Sequence, residues 1–199
     1  MKIKKGDILE EITLPNINGS NFSLSSLKGK KVLLTFYRFA RCPMCNLRIN
    51  EIIKRYDELG NDFAMVGIFD SKISNLQKAM NRHDLSFTIL ADENYEYFEK
   101  YEVKTSWWGV IKASFTRFNR FNKALFIKGY VPFPIKGHFN TLPVDILIDE
   151  KGVTHMAAIC AICKSQFSKV FQYYDLELDQ IVSLHQLVSN ALIMNKKEV

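Results

Sequence analysis

Two pairs of cysteines with the same spacing are the residues of this chain best suited to chemistry. Cys42 and Cys45 stand in "CPMC" and Cys160 and Cys163 in "CAIC", and together they are all four cysteines of the protein. Thiols at this spacing can exchange disulfides, ligate a metal, or simply fill a core. Cys42 falls where an apolar run gives way to a helical pattern, and the unpaired N–H groups of a helix N-terminus favour thiolate over thiol. Arg38 and Arg41 bring positive charge close in sequence. Cys45 follows one helical turn further in, within reach of a mixed disulfide on Cys42. Exchange chemistry asks for this asymmetry: an accessible, activated attacking sulfur at Cys42 and a sheltered resolving sulfur at Cys45. A tetrahedral zinc site needs two ligands more than this pair supplies.

The elements that must hold these thiols can be read from periodicity. "LPNINGSNFSLSSLKGKK" (Leu14 to Lys31) alternates weakly about Asn18-Gly19 and reads as a β-hairpin. "KVLLTFYRF" (Lys31 to Phe39) has the continuous apolar pattern of a central buried strand. From Pro43 the period becomes helical through Leu47, Ile49, Ile52, Ile53 and Tyr56, with Gly60 as the stop. A strand over Asp62 to Asp70, a helix over Ser71 to Leu85 opened by a Ser71 cap, a strand over Ser86 to Leu90 and a helix over Glu93 to Val103 follow. Such alternation implies βαβ units and a mainly parallel sheet. Residues 104–140 break the rhythm with many aromatic and basic side chains. Phe115, Phe118, Phe121 and Leu125 fall roughly on one helical face, read as packing on the domain or on a second copy of the chain, as in a homodimer; the alternative is a surface helix that touches membrane or an acidic partner, in a partner-binding module whose cysteines are vestigial. "VDILI" and "VTHMAA" then form a hairpin about Asp149-Glu150-Lys151-Gly152, and Asp175 to Ile193 reads as a closing amphipathic helix.

"CPMC" after a hydrophobic strand resembles the active site of thioredoxin-fold proteins. The opening "KGDILEEITLPNINGSNFSLSSLKGKKVLLTFYR" narrows the likeness. So does "FYRFARCPMCNLRI" with the later "KGYVPFPIKGHFNTLPVDILIDEKGV". Over residues 5–158 the chain resembles the peroxiredoxin branch of that fold, of alkyl hydroperoxide reductase and thiol-specific antioxidant (AhpC/TSA) type, in the subgroup with a C-x-x-C. The resemblance implies a single α/β domain over 1–199: a thioredoxin-like central mixed sheet flanked by helices, an N-terminal hairpin, and residues 104–140 as a helical insertion. It places Cys42 as the peroxidatic cysteine, oxidised to a sulfenic acid, and Cys45 as the residue that resolves it as an intrachain disulfide. It implies that the Leu142–Pro143 bond is cis and that Pro143 faces the CPMC loop and shapes the substrate groove. Peroxiredoxins proper carry a threonine three residues before the peroxidatic cysteine. Here that residue is Phe39, so the hydroxyl that would hold a peroxide is absent, while disulfide exchange needs none. No organic cofactor is implied. The expected substrate is a peroxide or a disulfide, and the expected reductant a thioredoxin-like protein or a small thiol.

The second pair departs from that pattern. With a turn at Asp149–Gly152, residue 158 would face Pro143 and Cys160 would face Thr141, which gathers the four cysteines at one end of the sheet. Three readings stay open. Cys160 and Cys163 form a second dithiol that relays electrons to or from Cys42 and Cys45, the four thiolates hold zinc or an iron–sulfur cluster, or CAIC is an apolar turn. Of the histidines, His83 reads as solvated, His138 as lying near the active-site face, and His155 and His185 as structural. Asp145 on a buried strand either tunes Cys45 or faces solvent at an edge. Phosphate-binding glycine loops, a Ser/His/Asp set and a carboxylate dyad are not evident. The net charge of +6 comes from scattered residues, which reads as a solvated surface rather than a nucleic-acid or membrane face. The first residues lack the apolar core of a secretory signal, so the expected location is the cytoplasm, where paired thiols are more often catalytic or metal-binding than structural.

Overall fold

The computed structural model describes residues 3–159, apart from residues 55, 117 and 134. Cys160, Cys163, His185 and the closing helix expected over Asp175 to Ile193 lie outside the described residues. The chain opens with a small antiparallel hairpin, β1 (Thr13–Pro15) and β2 (Asn21–Ser23). Five strands then make one mixed sheet: β3 (Lys31–Phe36), β4 (Phe63–Phe69), β5 (Thr88–Ala91), β6 (Val144–Ile148) and β7 (Thr154–Ile159), in the order β5-β4-β3-β6-β7. β3, β4 and β5 run parallel, and β6 and β7 add antiparallel. The helices are α1 (Pro43–Ile53), α2 (Ile73–Met80), α3 (Glu96–Lys100), α4 (Trp107–Thr116) and α5 (Phe118–Asn122). Among the described residues no helix is long and apolar enough to cross a membrane.

Side-chain alternation decides what each face of the sheet meets. Val32, Leu34 and Phe36 point to one side with Val66, Ile68, Val144 and Ile146, where the N-terminal hairpin and α3 close over them. Phe36 is fully buried, with its ring edge-on to Phe98 at 5.1 Å. Leu33, Met65 and Leu147 point the other way, toward Ile52 of α1. On that side the sulfurs of the CPMC loop join Ile49, Leu76 and Met80 in one apolar cluster. Both faces are therefore covered, which is why β3 and β4 read as unbroken apolar runs.

Several boundaries differ from the sequence expectation for visible reasons. β3 ends at Phe36 rather than Phe39; Tyr37 N still donates to Ile68 O at 2.7 Å, and the chain then turns into the CPMC loop. α1 stops at Ile53, a 3-10 turn spans Tyr56–Leu59, and Gly60 follows with φ +77. α2 starts at Ile73 with Lys72 at its N-cap, while the Ser71 hydroxyl donates to Lys72 O instead of capping. α3 is short because Tyr95 sits in the left-handed region; buried Asp92 caps it by accepting from the N–H groups of Glu96, Tyr97 and Phe98. At the β6–β7 hairpin Asp145 faces Ala158, and Ala158 is two residues away from the expected position opposite Pro143. Asp149 N donates to Val153 O, so the turn takes in one residue more, and a bulge at Leu147/Ile148 adds another.

Residues 104–140 leave and rejoin the sheet at a single point. Thr105 bridges Thr141, Ser106 N donates to Asn140 O, and Leu142 N donates to Lys104 O. Beyond α5 a π-helical turn (Lys123–Ile127) places Ala124 against Leu47 of α1. The expected burial of the aromatic face on the domain is not seen among the described residues. α4 sends Val110 inward, while Trp108 and Phe115 are 80% and 77% exposed.

Candidate active site

The loop between β3 and α1 is built around its cysteines. Pro43 starts α1, where its missing N–H costs nothing, and Cys42 occupies the N-cap without using its side chain as a cap. The Cys45 thiol donates to the Cys42 sulfur at 2.8 Å. Burial raises the Cys42 pKa, but four interactions outweigh it: the Cys45 hydrogen bond, the charge of Arg38, and the backbone N–H groups of Cys45 and Met44. The thiol is brought down to about 7. Cys45 is pushed well above its ordinary value, first by burial, then by the hydrogen bond to Cys42 and by that sulfur's charge. One sulfur is thus ready as thiolate near neutrality, while its neighbour keeps its proton.

One expectation fails here. Cys42 was to be accessible and Cys45 sheltered, yet both are buried, at 2% and 3% exposure. Hydrogen bonding and charge make the difference between them, and solvent access does not. Phe39, in the place of the threonine, is buried and stacks on Phe139 at a centroid distance of 6.0 Å. Arg38 is half-buried, with Nε lacking a hydrogen-bond partner among the described residues. Arg41 is exposed and donates through Nη1 to Phe133 O at 3.1 Å. Pro143 is buried one residue before β6, and its neighbour Val144 pairs with Phe36 at the end of β3.

Other residues matter that the sequence did not mark. Asn46 Nδ2 donates to the carbonyls of Ala40 and Cys42, both at 2.9 Å, which ties the loop to the first turn of α1. With its amide spent on two carbonyls, Asn46 Oδ1 must accept from His83 Nε2, 3.0 Å away. His83 is therefore not the solvated side chain expected. Its ring stacks on Tyr130, and its Nδ1 is buried without a partner among the described residues. Burial, helped by the neighbouring charge of Arg82, holds its pKa down at about 4. The signal for this chain of contacts is long-range, since 37 residues separate Asn46 from His83.

Asp145 neither reaches Cys45 nor faces solvent. It is buried on β6, accepts from Thr35 Oγ1 at 2.8 Å, and takes Arg48 Nη2 on both carboxylate oxygens at 3.1 Å. Arg48 lies one turn beyond Cys45, so the pair pins α1 to the sheet beneath the dithiol. Asp70, buried at the end of β4, receives the His138 backbone N–H and stands 2.9 Å from His138 Nδ1, whose ring lies against Tyr95. Gly137 has φ +118, and a Cβ there would meet Asp70 O at 2.5 Å, so only glycine lets this turn close on the strand end. His138 is thus on the side of the site expected of it. His155 bonds Asp149 Oδ2 at 2.9 Å, a structural role. Among the described residues no group of three or more His, Cys, Asp or Glu could hold a metal ion, and the metal reading depends on Cys160 and Cys163.

Known proteins resemble this chain in sequence and fold. The AhpC/TSA family matches residues 6–157. Peroxiredoxin Bcp of Escherichia coli (strain K12) is 32% identical over 110 residues, covering 54% of this chain and 67% of that protein. Among solved structures, Peroxidoxin BcpB from Mycobacterium tuberculosis covers 94% of this chain and 97% of its own with a TM-score of 0.56 at 16% identity. A thiol peroxidase from Chromobacterium violaceum covers 85% and 87% with a TM-score of 0.56 at 17% identity. At such identities the structural likeness speaks for the fold, a thioredoxin-like mixed sheet flanked by helices.

Proposed function

The chain belongs to the AhpC/TSA family and is a thiol-dependent oxidoreductase of the peroxiredoxin type; we propose that Cys42 and Cys45 are its working pair. The observation that carries this reading is the 2.8 Å hydrogen bond from the Cys45 thiol to a Cys42 sulfur with a pKa of about 7. The family acts on peroxides at the expense of a thiol. In the peroxide reaction the Cys42 thiolate attacks the O–O bond of ROOH, takes one oxygen as sulfenic acid, and releases ROH once a proton is supplied. Cys45 then attacks that sulfur, the Cys42–Cys45 disulfide forms, and water leaves. With a disulfide RSSR the same thiolate forms a mixed disulfide and expels one RS⁻; Cys45 displaces the second. Either product is restored by two equivalents of thiol, from a thioredoxin-like protein or a small thiol.

Arg38 is the cation we assign to the thiolate, since its charge lowers both sulfurs, while Arg41 is turned toward Phe133. Pro143 is taken as the wall of the groove, and Cys160 with Cys163 as a second dithiol that relays electrons to or from the first pair by exchange. The reading treats the chain as one domain with 104–140 as an insertion, working in the cytoplasm where thiols stay reduced. Because Cys42 is buried, reagent reaches it only when its cover shifts, and Phe39 against Phe139 is the part of that cover we expect to move. The test is stopped-flow oxidation of the reduced protein by peroxide and by a small disulfide, with mass mapping of the bridge. A Cys42–Cys45 bridge and loss of both reactions in Cys42→Ser are expected. A Cys42→Ser variant as fast as the parent refutes the assignment.

A further inference from the structure

Two clefts adjoin the CPMC loop, of about 180 Å³ and about 330 Å³. They share Arg41 and Lys78; the first adds Lys136 and the second Arg82. Among the described residues no carboxylate lines either one. All four cations are exposed, and none forms an ion pair among the described residues. Some cations elsewhere do have a carboxylate partner: Arg48 pairs with Asp145, Lys72 with Glu93 and Lys100 with Glu10. Three of the four cleft cations are instead held by neutral groups. Arg41 Nη1 donates to Phe133 O and Arg82 Nη1 to Gly129 O, each at 3.1 Å, and Lys136 Nζ to Asn75 Oδ1 at 3.4 Å. Arg82 also lies over the Tyr130 ring at 4.8 Å. A carbonyl or an amide orients a cation without cancelling its charge. The cleft is therefore positioned in advance for an anion.

Its place relative to the dithiol gives it a use. Phe39, Ala40 and Arg41, the three residues before Cys42, wall the smaller cleft. Asn46, whose amide holds the Cys42 carbonyl, lines the larger one. A substrate whose sulfur approaches Cys42 has its remaining groups beside these cations. We infer that the cleft binds the anionic end of a small carboxylate-bearing disulfide, and of the thiol that regenerates the pair. The step is the exchange already described: RSSR and the Cys42/Cys45 dithiol give the protein disulfide and two RSH, and the reverse uses two RSH. The inference rests on the dithiol reading and adds a selectivity to it.

The experiment compares three small disulfides of similar size on the reduced, full-length protein: 3,3′-dithiodipropionate, bis(2-hydroxyethyl) disulfide and cystamine. They carry two negative charges, none, and two positive charges. Each rate is divided by that of the same disulfide with free 2-mercaptoethanol, which removes intrinsic reactivity. At low salt the dianion is expected to react about tenfold faster than the neutral compound and the dication slower still, with the ranking collapsing once the Debye length falls to ~3 Å near 1 M salt. In Lys78→Glu/Lys136→Glu the ratio of dianion to neutral rates should fall by about tenfold or more. Equal corrected rates for the three compounds, or a ranking untouched by salt and by the double variant, overturn the cleft while leaving disulfide exchange in place. Failure of all three to oxidise the parent removes the exchange reaction, and the cleft with it.

Discussion

Replacing Cys45 by alanine should deactivate Cys42 before any resolution step is reached. In the folded protein the Cys42 sulfur is buried, which by itself would raise its pKa, and the Cys45 thiol is the largest of the influences that bring it down to about 7. A hydrogen bond to a charged acceptor is worth about 1.5–3 kcal/mol net. At about 1.36 kcal/mol per pH unit, its loss raises the Cys42 pKa by about 1–2 units, to about 8–9. At pH 7 the thiolate fraction then drops from about one half to between a tenth and a hundredth. The assay is the pH dependence of iodoacetamide alkylation, followed by mass on the Cys42 peptide, with thiolate absorbance as a second readout. Cys45→Ser keeps a hydroxyl donor and should lie between parent and alanine variant. Arg38→Met should raise Cys42 by less, and should raise Cys45 as well, because the guanidinium acts on both sulfurs. If the parent and Cys45→Ala titrate together, the thiol–thiolate hydrogen bond does not set the Cys42 pKa.

Two further outcomes follow from groups outside the thiol pair. The unfolded chain titrates His83 near 6.5 and the fold holds it at about 4, so between those values the unfolded state binds more protons. Stability from this group is complete above 6.5 and is lost as the pH falls toward 4. Discounted for a ring that is only partly buried, the loss is about 1–2 kcal/mol, to be seen as a fall in Tm across that window that His83→Gln abolishes. An equal fall in the variant refutes it. Asp145→Leu should cost about 3–5 kcal/mol in urea unfolding, because Arg48 is left largely buried without its carboxylate. Arg48→Met/Asp145→Leu should recover most of that cost, and a double variant no more stable than the single one counts against a buried charge as the cause.

What the sequence showed and what it hid divide along the range of the interactions. The dithiol, its strand and its helix are consecutive, so the apolar run to Phe36, Pro43 at the start of α1 and the thiol spacing sufficed to place Cys42 at a helix N-terminus. β3 and β4 were legible because burial on both faces writes an unbroken apolar run, and β6 and β7 because a turn sequence separates them. The long-range contacts that brace the site were not legible. Asn46 reads as one polar position on a helix until His83, 37 residues away, is known to take its oxygen. Asp145 reads as an odd acid in a strand until Arg48, 97 residues earlier, is found beside it. The burial of Cys42 was missed because part of its cluster, Phe139, arrives from the far end of the segment that interrupts the αβ rhythm. The hairpin register failed on two local details that no periodicity reports, the Asp149–Val153 closure and the bulge at Leu147/Ile148. Chemistry in this chain, and the interactions that lower the Cys42 pKa, are therefore carried by neighbours in sequence, while burial and access are set by neighbours in space. A substitution at Asn46, His83 or Phe139 can change the reactivity of Cys42 without touching the motif that identifies it.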